Sequence, residues 1–201
     1  METLLLVMTA VIGLFMLKSK QDRERIALLG HHLGKHQIEK LMETLTQGYL
    51  RALGEDDPER RAQIWSLLAS SEAQLCEQFS SFVTGFASVD ESAARTSKLV
   101  FPIPFAEKLF PGSTFDMRKL LSVHARGITQ AARNSQGLSP KNKAFVMSAE
   151  LFLMQHTCHW FCKSRAVASA RMMARHKTPY AQLINSVAPE TRQAYAALIA
   201  G

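Results

Sequence analysis

Hydrophobic positions change their spacing once along the chain, near residue 20. Residues 3–17, TLLLVMTAVIGLFML, are uncharged and have neither a helical nor a strand period. A helix built from them is apolar on every side and needs lipid or a protein interior around it. Farther on, Ile38, Leu41, Met42, Leu45, Tyr49 and Leu53 recur at helical spacing, which predicts one long helix over residues 21–53, ended by Gly54. Asp57-Pro58-Glu59 then reads as an N-cap, a first-turn proline and an acid suited to the helix dipole. The helix it opens extends to Phe86 and turns Trp65, Leu68, Leu75, Phe79, Phe82, Val83 and Phe86 inward.

The helical pattern lapses over residues 87–112, where Phe101-Pro102-Ile103-Pro104 is forced extended by its two prolines. Ser113 or Thr114 caps a third helix that carries Phe115, Leu120, Leu121 and Ile128 on one face, runs to Asn134 and is closed by Gly137. Ser139-Pro140 repeats the cap-then-proline start. With no proline or glycine before Thr178-Pro179, the fourth helix runs nearly to His176, and two short helices open at Pro179 and Pro189. No period-two strand is evident. The expected class is all-α: an N-terminal single-pass anchor helix continuing into a small cytoplasmic helical bundle. Its parts are an anchor (1–20), a long juxtamembrane helix plus a second helix (21–86), an irregular proline-containing connector (87–112) and a basic helical subdomain (113–201).

As a helix, residues 3–17 rise roughly 22 Å, short of the ~30 Å hydrocarbon thickness, a gap that Lys18 and Lys20 can bridge by snorkelling. A signal peptide fits poorly, because Met-Glu precedes the run and Lys-Ser-Lys follows it in place of a small-residue cleavage site. The competing reading is the buried first helix of a soluble domain. Lys18, Lys20, Arg23 and Arg25 follow the run, so the positive-inside rule puts the bulk of the chain in the cytoplasm, at an inner or plasma membrane. Three cysteines, an odd number, suit a reducing compartment. A short anchor, a long juxtamembrane helix and a small helical domain also recur in accessory subunits of bacterial envelope machines, a likeness of architecture alone.

The net charge of +7 is unevenly spread. Through Glu91 nine Lys and Arg face thirteen acids, a balance of −4. From Ser92 to Lys177 fourteen face only Glu107, Asp116 and Glu150, a balance of +11. Either the halves neutralise each other or the back half presents a basic face to an anionic partner. Lys163, Arg165, Arg171, Arg175 and Lys177 mark that face. Some cations are expected near a helix C-terminus, but five without a counter-charge exceed that need. The partner expected is a protein in a membrane-associated complex, or anionic lipid. Nucleic acid is not expected as a sequence-specific partner, because no reader motif occurs.

Gln155-His156-Thr157-Cys158-His159-Trp160-Phe161-Cys162 concentrates metal-ligating side chains. Cys158, His159 and Cys162 fall within an arc of about 100° on a helix, with His156 nearby, so zinc is the cofactor of an alternative, metal- or redox-responsive reading. Structural zinc sites usually draw ligands from two separated pairs, and Met147, Leu151, Met154 and Phe161 share the same helix, so core packing is the stronger expectation. His32, His36, Glu39 and Glu43 form a second stripe, read as a solvated polar face. His124 is read as a hydrogen-bonded core residue. No phosphate-cradling loop, nucleophile elbow or His-Glu-x-x-His helix occurs, so no catalytic residue is assigned. These features together predict a membrane-anchored interaction or adaptor protein.

Overall fold

The computed structural model describes residues 1–99 and 103–200. Phe101 and Pro102 of the predicted extended segment lie outside them, and Pro104 sits in a turn. Among the described residues the chain is helical apart from one short antiparallel ribbon, so the all-α class holds.

Helix α1 (Glu2–Leu33) is one continuous rod of two unlike parts. Residues 1–17 bury nothing, and among the described residues this is the one helix long and apolar enough to cross a membrane. Within this chain no part of the apolar run is covered by protein, the reverse of what a buried first helix would show. The second part docks through polar side chains. Asp22 pairs with Lys18 and, at 3.1 Å, with Lys163. Gln21 donates to Glu107 (2.6 Å) and accepts the Phe105 N–H (3.2 Å). Arg25 meets Glu107 at 3.3 Å and donates to the carbonyls of Phe161 and Arg95. Lys18 and Arg25 therefore face the domain, leaving Lys20 and Arg23 as the exposed basic flank.

The single helix expected over residues 21–53 does not form. It breaks after Leu33, and α2 (Ile38–Leu53) starts anew. The Gln37 N–H leaves the helical ladder for the Gln78 side chain of α3 (Pro58–Phe86), at 2.6 Å. A physical demand lies behind the break. In one unbroken helix the buried face Ile38, Leu41, Leu45, Tyr49 would lie about 155° round the cylinder from Gln21, Arg25 and Leu29, at 100° per residue. The interruption lets both faces meet the same core.

Helix α3 matches its predicted start, with the Asp57 carboxylate accepting from the N–H groups of Glu59 and Arg60. It pairs with α2 as a hairpin, tied by the Tyr49 hydroxyl donating to Glu72 (2.6 Å), which also pairs with Lys143. Short α4 (Glu91–Ala94) leads into β1 (Arg95–Ser97). After α5 (Ala106–Leu109) and a single 3₁₀ turn, β2 (Thr114–Asp116) pairs with β1 in the register Thr96↔Phe115. Three residues per strand are too few to show alternation in sequence. Since Thr114 belongs to the ribbon, Asp116 caps α6 (Met117–Arg133), not Ser113 or Thr114. Asn134, with φ of 49°, closes α6 in place of Gly137.

Helix α7 (Pro140–Cys162) is capped by Ser139 as predicted, but the fourth helix stops fourteen residues short of His176. Ser164 caps a separate α8 (Arg165–His176) by accepting from the Val167 N–H. Helices α9 (Tyr180–Ser186) and α10 (Pro189–Ala200) complete the chain. Core side chains come from α3, α6 and α7, with Phe86 edge-on to Phe161 and Phe115 edge-on to Trp160. Gly127 of α6 lies against the fully buried Glu150 and Thr191, where a Cβ would fall 2.4 Å from Glu150 Oε2. Any larger residue there would have to displace that carboxyl.

A candidate docking groove

Helix α7 runs antiparallel to α1, because Phe161 lies at Arg25 and Lys163 at Asp22, one turn nearer the apolar run. Helix α8 folds back along α7, with Arg171 reaching His159 and His176 reaching Gln155. The end of α1 and α2 as far as Gln47 thus form one wall, α8 the other, and α7 the floor between. Near α1 the trough is lined by Ile26, Leu29, Leu33, Met154, Cys158 and Cys162, with a volume of about 380 Å³. It continues past Glu39, Lys40, Met42 and Glu43 on one side and Arg175 and His176 on the other, over Phe152 on the floor, with about 560 Å³.

The walls differ in net charge. Glu39 and Glu43 stand exposed on α2 with Lys40 between them, while Arg171 and Arg175 stand exposed on α8. Among the described residues none of these five is in an ion pair within the chain. Arg171 can only donate, so its 3.1 Å contact makes His159 Nδ1 an acceptor and the imidazole neutral. Burial first, and then Arg171 and Arg175, hold the pKa of His159 below its ordinary value. Burial and Arg175 do the same to His176.

The five residues predicted to form one basic face do not share one. Lys163 is committed to Asp22. Arg165 lies over the rings of Tyr180 (4.8 Å) and Trp160 (5.6 Å). Only Arg171 and Arg175 border the groove, and Lys177 is exposed at the end of α8. The acids Glu55, Asp56, Asp57 and Glu59, which could have neutralised this stretch, instead belong to the α2–α3 turn and the start of α3, where Asp57 meets Arg60.

The predicted metal cluster separates as well. Cys158, His159 and Cys162 line the groove, but His156 is fully buried on the other side of α7, stacked on Tyr180 at 4.4 Å and bonded to Ser169. Burial pushes the Cys162 thiol up to about 11 and the Cys158 thiol higher, so neither is a ready nucleophile at neutral pH. Among the described residues no three His, Cys, Asp or Glu side chains are placed to hold a metal ion.

The His/carboxylate stripe is divided by the break after Leu33. His32 and His36 pack edge-on against Phe86 and Phe82 rather than facing solvent, while Glu39 and Glu43 pass to the groove. His124 is a core residue, and its Nε2 lies 2.9 Å from Thr157 Oγ1. The acidic wall was missed by sequence reasoning as part of a site; the signal available was Glu39 and Glu43 at i and i+4 beside the apolar face of α2.

Compared with known proteins, the chain matches no family model, and no curated protein or solved structure is significantly similar to it.

Proposed function

We propose that this protein is a membrane-anchored, non-enzymatic docking protein. Helix α1 spans an inner or plasma membrane with the rest of the chain on the cytoplasmic side, and the groove receives an amphipathic helix from a protein partner in the same membrane. The observation that supports this reading is the groove's place and make-up: a floor of Phe152, Met154, Cys158 and Cys162 with Gln155 and His159, between a net-acidic α2 wall and a basic α8 wall, beginning beside the docked part of α1. A helix laid in such a trough presents apolar residues at i, i+3, i+4 and i+7 to the floor. Its acids face Arg171 and Arg175, and its bases face Glu39 and Glu43. The groove begins beside Ile26, Leu29 and Leu33 of α1, so a partner helix leaving the bilayer next to α1 meets that end first. The exposed Lys20 and Arg23 after the apolar run support the cytoplasmic orientation.

The test is the double reversal Arg171→Glu/Arg175→Glu in the full-length chain. Both side chains are exposed, so the melting temperature should hold, with a stability change of about 0.5 kcal/mol or less. Recovery of the partner from native membranes should fall by about tenfold or more. The wild-type interaction should weaken as added salt shortens the Debye length from ~10 Å toward ~3 Å. A lowered melting temperature with undiminished partner recovery would refute the groove as the docking site.

A further inference from the structure

We infer that residues 103–110, in the connection between β1 and β2, are a second membrane contact, which seats the domain on an anionic bilayer surface at the foot of α1. This inference rests on the reading of α1 as the anchor. The loop is fastened to the first docked turn of that helix, through Phe105 and Glu107 on Gln21. Gln21 is four residues beyond Leu17, a rise of about 6 Å, which matches the ~5–7 Å of headgroup region on each side of the hydrocarbon. The apolar run is itself shorter than the hydrocarbon is thick, which draws the bilayer surface toward the domain.

The loop's composition suits that level. Ile103, Leu109 and Phe110 are 38%, 63% and 46% exposed, three large apolar side chains within eight residues. Ile103 shares a small hollow with Lys18 and Lys163 at the foot of α1. Lys108 is exposed in the loop, Lys98 precedes it, and Lys20 is exposed on α1 one residue before Gln21. The strand register brings both ends of the loop together: Lys98 donates to the Ser113 carbonyl, next to the Ser97↔Thr114 pair. Apolar side chains at the headgroup–acyl boundary with lysines around them are the usual features of an interfacial contact, each lysine adding attraction to anionic lipid.

The test places the photoreactive residue p-benzoylphenylalanine at Phe110, at Leu67 on the outer side of α3, and at Leu6 in the apolar run, one at a time in the full-length chain. The protein is reconstituted into vesicles of phosphatidylcholine, with or without about a third phosphatidylserine. Lipid adducts at Phe110 should exceed those at Leu67 by about tenfold, rise when phosphatidylserine is present, and fall in Lys98→Glu/Lys108→Glu. Adducts at Leu6 without any excess at Phe110 would overturn this inference and leave the anchor standing. Absence of adducts at Leu6 would overturn the anchor and this inference with it. Equal yields at Phe110 in both kinds of vesicle would overturn the assignment to anionic lipid, and adducts of Phe110 to a protein in native membranes would make the loop a protein contact.

Discussion

Removing residues 2–17 should release the protein from vesicles of phosphatidylcholine alone, where neither anionic lipid nor a partner protein can hold it, without measurable loss of fold. The side chains of the apolar run bury nothing, so no core contact leaves with them. The ties that dock α1 begin at Lys18 and run through Gln21, Asp22 and Arg25. Thermal unfolding of the truncated chain should therefore shift by no more than about 2 °C, as expected for a change of ~0.5 kcal/mol in a domain of this size. The full-length chain should need detergent or lipid, because this helix exposes far more contiguous apolar surface than the few hundred Å² that soluble monomers tolerate. A truncated chain that unfolds or aggregates would mean that residues 3–17 complete a protein core.

The second large effect is loss of stability in acid. His124 and His156 are fully buried, and the Nδ1 atom of each has no partner. Thr157 gives its proton to the Leu153 carbonyl, so His124 Nε2 is the donor in its contact with Thr157 and Nδ1 is left bare. Burial lowers both imidazoles to about 3, with Arg165 adding to the effect on His156. The unfolded histidines take up protons near pH 6.5 and the folded ones do not. Their contribution is complete above pH 6.5 and is lost as pH falls toward 3, at about 1.4 kcal/mol per pH unit for each ring.

Glu150 acts in the opposite direction. Burial raises its carboxyl to about 7 from 4.5, so its contribution is complete below pH 4.5 and is lost as pH rises through 7. From pH 6.5 down to 4.5, two protons taken up by the unfolded histidines outweigh the one held by folded Glu150. Below 4.5 both histidines act unopposed. Melting temperature should peak near pH 6.5, fall gently above it and steeply below pH 4.5. In Glu150→Gln the decline above the peak should disappear. A melting temperature that stays level or rises down to pH 4 would show that the histidines are not held neutral.

Much of this fold was legible where local chemistry sets it. Asp57-Pro58 and Ser139-Pro140 fixed the starts of α3 and α7 because cap and proline act within one turn. Both interruptions were hidden because tertiary contacts make them. The docked face of α1 is largely polar, Gln21, Asp22 and Arg25, so it offers no apolar stripe whose change of phase at Ile38 could be read. At the other break, Ser164 caps α8 with neither glycine nor proline to mark it. The groove was half legible. Arg171 and Arg175 stood out as charges without counter-charges, but their position opposite Glu39 and Glu43 depends on α8 folding back over α7. His156 looked like a neighbour of Cys158 in sequence, whereas two residues along a helix carry a side chain about 200° round, into the core.

The central claim, that the groove beside α1 holds a helix of a membrane partner, is tested most directly by photocrosslinking in native membranes. The photoreactive residue is placed at Ile26 and at Gln47, exposed positions near the two ends of the groove, with Leu67 on α3 as the control. The account predicts adducts from Ile26 and Gln47 to one and the same protein, none from Leu67, and loss of both in Arg171→Glu/Arg175→Glu. Mass spectrometry should map the adducts to an amphipathic stretch next to an apolar span, with acids along one flank. No adduct from either groove position, or the same adduct from Leu67, would contradict it.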